Sequence, residues 1–246
     1  MLIYIVRHGL TEWNKLKKLQ GAADVPLAKE GILLAKKTGE ALQGVKFDIC
    51  FTSPLSRAKQ TAECVLGERD IPIIPDKRIQ EINFGVLEGN QVRDAEGNYI
   101  DPQIETFFRD PVKFKRPENG EDIFDVIART KEFWDEVTAK PEYEDKTILI
   151  ATHGCALRAI LHNIYENKAD FWHGFVPVNC AVSVVEVKDG NDINEIHKDT
   201  KKGKKEQFKP TLIIVNTVIG FGSANQGTNK VHGAPLGKED GKNAKL

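Results

Sequence analysis

Five short apolar runs, Leu2 to Val6, Phe47 to Phe51, Ile71 to Ile74, Thr147 to Ala151 and Ala181 to Val187, constrain the fold of this chain more than any other feature. Leu2 to Val6 carries no charge, and strands covered on both faces lose the polar alternation of half-exposed ones. Amphipathic stretches separate the runs. Ile32, Ala35, Gly39 and Leu42 recur at helical spacing within Ala28 to Gln43, and Ile123, Val126, Ile127, Trp134 and Val137 mark a later helix. Between them Ser53 reads as an N-cap with Pro54 at the first helical position, ahead of inward-facing Ala58, Ala62 and Val65. Strands alternating with helices predict an α/β fold of three layers, α/β/α, around a mostly parallel sheet.

At 246 residues the chain has room for one sizeable domain and an appendage. Lys plus Arg number 35 against 36 for Asp plus Glu, so there is no basic field for nucleic acid and charge must act locally. Cys50, Cys64, Cys155 and Cys180 fit neither a zinc ribbon nor a disulfide framework, and they read as thiols of a reducing compartment. No basic segment leads into a long apolar one at the N-terminus, and no run approaches the ~18 apolar residues of a membrane span. A soluble cytoplasmic protein without membrane contact is expected. Val86 to Gly120 differs from the rest, with Gly, Asn and Pro breaks around Phe107, Phe108 and Phe114 and the cations Lys113, Lys115 and Arg116. It reads either as a lid over a site or as an insertion whose aromatics pack on the parent domain.

Polar residues gather where three of the apolar runs end. Arg7-His8-Gly9 follows the first, and Ser53-Pro54-Leu55-Ser56-Arg57 follows the second, with Arg57 in the first turn of a helix whose dipole favours an anion. Thr152-His153-Gly154 follows the fourth. Ligands of open α/β sheets sit outside the carboxyl ends of the strands, so two arginines and two histidines can converge on one anion. A single His after a strand is as readily a hydrogen-bonded structural residue, and His162, His173 and His197 are read that way or as surface residues. Rival phosphate chemistries fail on register. A C-x5-R motif would need Arg where Ser56 stands, since Arg57 is one place too far from Cys50. No D-x-D or H-E-x-x-H occurs, and Gly233 to Glu239 is too short for a P-loop.

The series R-H-G, T-E-W-N, Q-G-x-x-D-x-P-L, S-P-L-x-R-A-x-Q-T, E-I-x-F-G-x-x-E-G and T-H-G resembles the histidine phosphatase superfamily, in its cofactor-dependent phosphoglycerate mutase-like branch, over residues 1 to about 187. The resemblance implies that His8 attacks phosphorus and becomes a phosphohistidine, as a neutral imidazole with one ring nitrogen tied up can do without a thiol or metal. It implies that Arg7, Arg57 and His153 hold the phosphoryl oxygens, while Asn14, Gln20, Gly21 and Gly154 border the phosphate or substrate. Glu81 matches the general acid, its pKa raised by the bound dianion so that it serves leaving group and water in turn. Glu12 and Glu88 compete for that role on composition and read as structural carboxylates. No metal or cofactor is expected, and a small phosphorylated metabolite is the expected partner.

Mutases of that family carry E-R-H-Y-G where this chain has Glu81-Ile82-Asn83-Phe84-Gly85. Loss of the Arg and Tyr removes groups suited to a second phosphate or carboxylate, so hydrolysis is the expected outcome. Lys113, Lys115 and Arg116 are candidates to replace those contacts, which leaves a mutase as the alternative, with a non-catalytic phospho-ligand-binding protein as another.

Residues 188 to 246 change character. D-G-N-D, K-P-T-L-I-x-V-x-T-x-I-G-F-G-S and V-H-G-A-P-L-G resemble an internal piece of transketolase, and His232 matches a histidine that lies near the thiamine diphosphate of that family. The G-D-G-type magnesium motif and the aminopyrimidine pocket are absent, so no cofactor binding and no transketolase activity are expected. The junction at Val187 to Gly190 suggests a gene fusion or a truncated reading frame. Lys198, Lys201, Lys202, Lys204, Lys205 and Lys209 read as a solvated linker, and Thr211 to Val218 as a strand in need of a partner edge. Deleting residues 191 to 246 is expected to leave activity intact.

Overall fold

A computed structural model of the chain describes residues 1–165, 168–172, 176–189 and 211–216, with the backbone alone for 188–189 and 211–216. The chain divides into two compact units, Met1–Ser183 and Val184–Leu246. In the first unit, strands β1 (Leu2–Arg7), β2 (Ile49–Thr52), β3 (Ile73–Pro75) and β4 (Thr147–Thr152) lie in the order β3-β2-β4-β1, all parallel. Helices α1 (Glu12–Lys15), α2 (Lys29–Ala41), α3 (Ser56–Leu66), α4 (Pro102–Arg109), α5 (Ile123–Ala139) and α6 (Gly154–Ile164) occupy the connections, because parallel strands need long crossovers.

Register places the site. β1 pairs with β4 from Leu2 opposite Thr147 to Arg7 opposite Thr152, and β2 pairs with β4 up to Thr52 opposite Ala151. The three strands therefore end side by side, and the residues that follow them, His8, Ser53 and His153, emerge at one edge. Leu149 and Ala151 of β4 pack with Ala62, Val65 and Leu66 of α3. Strand alternation sends the fully buried Ile148 and Ile150 to the other face. There α5 and α6 bury Val126, Ala156 and Ala159 in a second core with Phe84, Phe107 and Phe114. The aromatics of Val86 to Gly120 thus pack into the parent domain.

The structure moves one helix start. α3 begins at Ser56, with Leu55 at the cap position and no side-chain cap bond. Ser53 is not the N-cap; its Oγ accepts the Leu55 N–H at 3.3 Å and faces the site. Strand β5 (Val182–Asp189) begins in the first unit and runs into the second, where it pairs in parallel with β6 (Thr211–Asn216), from Val184 opposite Thr211 to Asp189 opposite Asn216. The β-prone run at 211 has a partner edge. His173, His197, His232 and the lysines from Lys198 to Lys209 lie outside the described residues. Among the described residues no helix is long and apolar enough to cross a membrane.

Candidate active site

His8 emerges from β1 and is 3% exposed. Its Nδ1 lies 2.7 Å from the Gly9 carbonyl, which can only accept, so Nδ1 carries the proton and Nε2 keeps its lone pair. Burial first, and then the charges of Arg57 and Arg7, hold the imidazole well below its ordinary pKa, so it is neutral at pH 7. The loop is pinned on both sides. Gly9 N–H donates to Thr61 Oγ1 at 2.9 Å, and Asn179 Nδ2 donates to the His8 and Gly9 carbonyls at 3.0 and 3.2 Å and to Asn14 Oδ1 at 3.2 Å. A Cβ on Gly9 would lie 2.7 Å from the Gly31 carbonyl. The close approach that this glycine permits is therefore to α2.

Arg57, on the first turn of α3, is fully buried. Its Nη2 and Nη1 donate to the Gly21 and Ala23 carbonyls at 2.6 and 2.8 Å, and its Nε donates to His153 Nδ1 at 3.2 Å. A guanidinium only donates, so His153 Nδ1 accepts and its proton sits on Nε2, 2.7 Å from Ser53 Oγ. Burial lowers Arg57 to about 10, which leaves it charged at neutral pH. The Gln20 amide lies 2.6 Å from Thr11 Oγ1; with its nitrogen donating there, its oxygen accepts from Arg57 Nε and Nη1. Arg7 donates to the Pro177 carbonyl, and its buried Nε has no partner. Among the described residues the arginine ion pairs belong to Arg78, Arg109, Arg116 and Arg129, so Arg7 and Arg57 have no carboxylate at contact distance. The nearest opposing charge they share is Glu81, which acts on both from beyond ion-pair distance.

Glu81 reaches the same edge by capping a helix. His153, at the N-cap of α6, supplies no side-chain cap. Instead Glu81 Oε2 accepts the Cys155 N–H and Oε1 the Ala156 N–H, both at 3.1 Å, and Oε1 also takes its neighbour's Ile82 N–H at 3.0 Å. The orphan donors and dipole of α6 thus fix the carboxylate. Behind it, Arg129 Nη1 donates to the Arg78 and Gln80 carbonyls at 2.8 and 2.7 Å, and Nη2 donates to the Glu81 carbonyl at 3.0 Å. Glu121 pairs with Arg129 at 2.9 Å and accepts the Asn83 N–H at 2.9 Å, closing the clamp.

The rival carboxylates are engaged elsewhere. Glu88 accepts the Ala22 and Ala23 N–H groups, both at 2.6 Å, and the Phe84 N–H at 3.1 Å, tying the loop of Gln20 and Gly21 to the Glu81 segment. Gly21 sits at that junction, where a Cβ would fall 2.3 Å from the Ile82 carbonyl. Glu12 is exposed and pairs with Lys15. The Cys155 thiol, raised well above its ordinary range by burial and then by Glu81, stays protonated.

Arg7, His8, Asn14, Gln20, Glu81 and Gly154 line one cleft of about 560 Å³ including its mouth. Arg57, His153 and Gly21 stand behind that lining, with the His8 and His153 rings 5.2 Å apart. Phe107 and Phe108 of the Val86 to Gly120 segment form part of the wall, but Lys113, Lys115 and Arg116 do not. Lys113 pairs with Asp110, and Arg116 with Asp122 and Asp125. Besides Arg7, the cation that lines the cleft is Lys18. Sequence reasoning missed it, together with Thr61, Asn179, Glu121 and Arg129, and misassigned Ser53. Ser53 and Thr61 lie inside the S-P-L-x-R-A-x-Q-T series, which was the available signal; Asn179 and Arg129 act on residues too distant in the chain for any local pattern.

Comparison with known proteins places both parts of the chain. The transketolase thiamine diphosphate binding domain profile matches residues 166–246, so the similarity begins before residue 188. The chain is 31% identical to the 2,3-bisphosphoglycerate-dependent phosphoglycerate mutase of Treponema denticola, covering 94% of this chain and 100% of that protein. Among solved structures it resembles Bacillus stearothermophilus YhfR, with a TM-score of 0.68 and 32% identity over 76% of this chain and 91% of that one. Phosphoserine phosphatase of Entamoeba histolytica in complex with 3-phosphoglyceric acid gives 0.62 and 28% over 74% and 89%. The branch 1 profile matches residues 3–200, and this chain belongs to the histidine phosphatase superfamily.

Proposed function

We propose that this enzyme hydrolyses small phosphorylated metabolites through a phosphohistidine on His8. The observation that carries the reading is a buried imidazole whose Nδ1 is tied to the Gly9 carbonyl, leaving Nε2 as a free acceptor near the charges of Arg7 and Arg57, neither of which has a carboxylate at ion-pair distance. Arg7 and Arg57 neutralise a phosphoryl dianion and stabilise its transition state, so catalysis rests on position and fixed charge. In the first step Nε2 bonds to phosphorus as the P–O ester bond breaks, and Glu81 in its acid form gives its proton to the leaving oxygen. In the second, water attacks phosphorus, the N–P bond breaks and the water proton goes to the Glu81 carboxylate. The alcohol and phosphate leave, and Glu81 is again the acid.

Water is favoured over a second hydroxyl as acceptor because Ile82 and Phe84, at the positions where mutases carry polar groups, are buried in the apolar core, and Lys113 and Arg116 pair with local acids outside the cleft lining. A mutase that must retain a bisphosphate needs more cationic lining. The end-to-end likeness to a named mutase supports that second reading. Assay with p-nitrophenyl phosphate, and separately with 3-phosphoglycerate plus bisphosphoglycerate, distinguishes the two. Phosphate release abolished by His8→Ala is expected. Isomerisation in its place would establish the mutase, and no turnover with no acid-labile phosphoenzyme would reject both.

A further inference from the structure

We infer that the cleft selects phosphomonoesters whose organic part is apolar, of ring size, and carries a carboxylate, with Lys18 as the residue that recognises the carboxylate. This rests on the phosphatase reading of the same site and narrows its substrate class.

Away from the phosphoryl contacts, the lining is Phe84, Phe107, Phe108, Trp172, Val92 and Val176. The rings hold one another. Phe107 meets Phe84, Phe108 and Trp172 edge-on at 4.8, 5.1 and 5.3 Å between centroids. Trp172 Nε1, the one polar atom of this wall, already donates to the Phe107 carbonyl at 3.1 Å. The wall offers a ligand no donor or acceptor from these side chains. A substrate rich in hydroxyls would leave them unpaired there, and an apolar pocket gains from a ring.

Lys18 breaks this apolar pattern. It lines the same cleft, partly buried, and among the described residues its ammonium makes no ion pair. Its backbone is held, since its N–H donates to the Trp13 carbonyl at 2.9 Å and it bridges to Gln91. The ammonium lies 5.7 Å from the Trp13 ring centroid. A cation kept beside apolar walls is screened less than one in open water, which favours an anion on the ligand itself.

The test compares kcat/KM for benzyl phosphate, 4-carboxybenzyl phosphate and 3-phosphoglycerate, all esters of alkyl alcohols, in the wild type and in Lys18→Met and Lys18→Glu. The carboxylated ring is expected to exceed the plain one by roughly tenfold, the scale of one hydrogen bond between charged groups. Lys18→Met brings that ratio close to one, and Lys18→Glu inverts it. A ratio that Lys18→Met leaves unchanged overturns the role of Lys18. Preference for 3-phosphoglycerate over both ring esters overturns the apolar part. Hydrolysis of none of the three, or hydrolysis that survives His8→Ala, overturns the phosphatase reading and this inference with it, so the two failures are distinct.

Discussion

The phosphoryl side of the cleft is held by directed hydrogen bonds from separate stretches of chain, whereas the aromatic side is held by rings packed edge to face. On the first side most polar atoms have a set partner, while Arg7 Nε and His8 Nε2 have none among the described residues. On the second side packing fixes shape without fixing charge. The difference teaches that chemistry and selectivity are separable here: changes on the phosphoryl side should act through the phosphoryl group and the leaving-group proton, whatever the shape of the organic part, and changes on the aromatic side should alter which organic part is preferred.

The largest effect tests the first half of that statement. His8→Ala removes the nucleophile and should lower kcat on every ester by ~10⁴-fold or more, with no acid-labile phosphoenzyme detected after rapid quench with labelled substrate. Next comes Glu81→Gln, which keeps the size of the cap but gives up the proton. A loss of roughly 10² to 10⁴ is expected on alkyl esters, and much less on p-nitrophenyl phosphate, whose leaving group needs no proton. Equal losses on both esters would remove Glu81 from the acid role.

Arg129→Met sharpens the same point one layer out. Arg129 does not line the cleft but holds the carbonyls of Arg78, Gln80 and Glu81, so its loss should misplace the acid and cost roughly ten- to hundredfold in kcat on alkyl esters. Because it acts through Glu81, the loss should again shrink on p-nitrophenyl phosphate; a merely structural role would lower both equally.

Stability should respond to pH through the phosphoryl side as well. Folded His8 and His153 are both held well below 6.5 by burial and then by Arg57, whereas in the unfolded chain they titrate near that value. Above pH 6.5 neither state binds the protons and the pair adds no pH dependence. As pH falls below 6.5 the unfolded state takes them up, so stability declines, by up to about 1.4 kcal/mol per histidine per pH unit. Thermal unfolding between pH 7.5 and 5 reads this, and His153→Gln should flatten the slope. The smallest effect tests the aromatic side. Phe108→Ala should raise KM for benzyl phosphate a few-fold, roughly 1 kcal/mol of lost apolar contact, and leave the value for 3-phosphoglycerate less changed.

Much of the phosphoryl side was legible because its residues sit at fixed places relative to strand ends. Arg7-His8, Arg57 and His153 follow apolar runs, and parallel register then brings those ends together. Ser53 was misread for a local reason: Ser before Pro is a helix-start signal, but the chain stays extended until Leu55 and the hydroxyl turns to His153. Lys113 and Arg116 were candidates for substrate contacts because charge on a loop-rich segment does not reveal its partners, which are the local acids Asp110, Asp122 and Asp125.

The sequence by itself determined the layered α/β architecture and the superfamily, and it singled out His8 as the candidate nucleophile, since apolar periodicity and short motifs are local properties. Tertiary structure alone decided that Asn179 holds the His8 loop from 171 positions away, that Glu81 caps a helix 74 positions on, and that Lys18 is the cation facing the aromatic wall. The first two are contacts between side chains and backbone groups that only folding brings within about 3 Å of one another, the third is a shared cleft lining, and neither kind of proximity leaves a periodic trace along the chain.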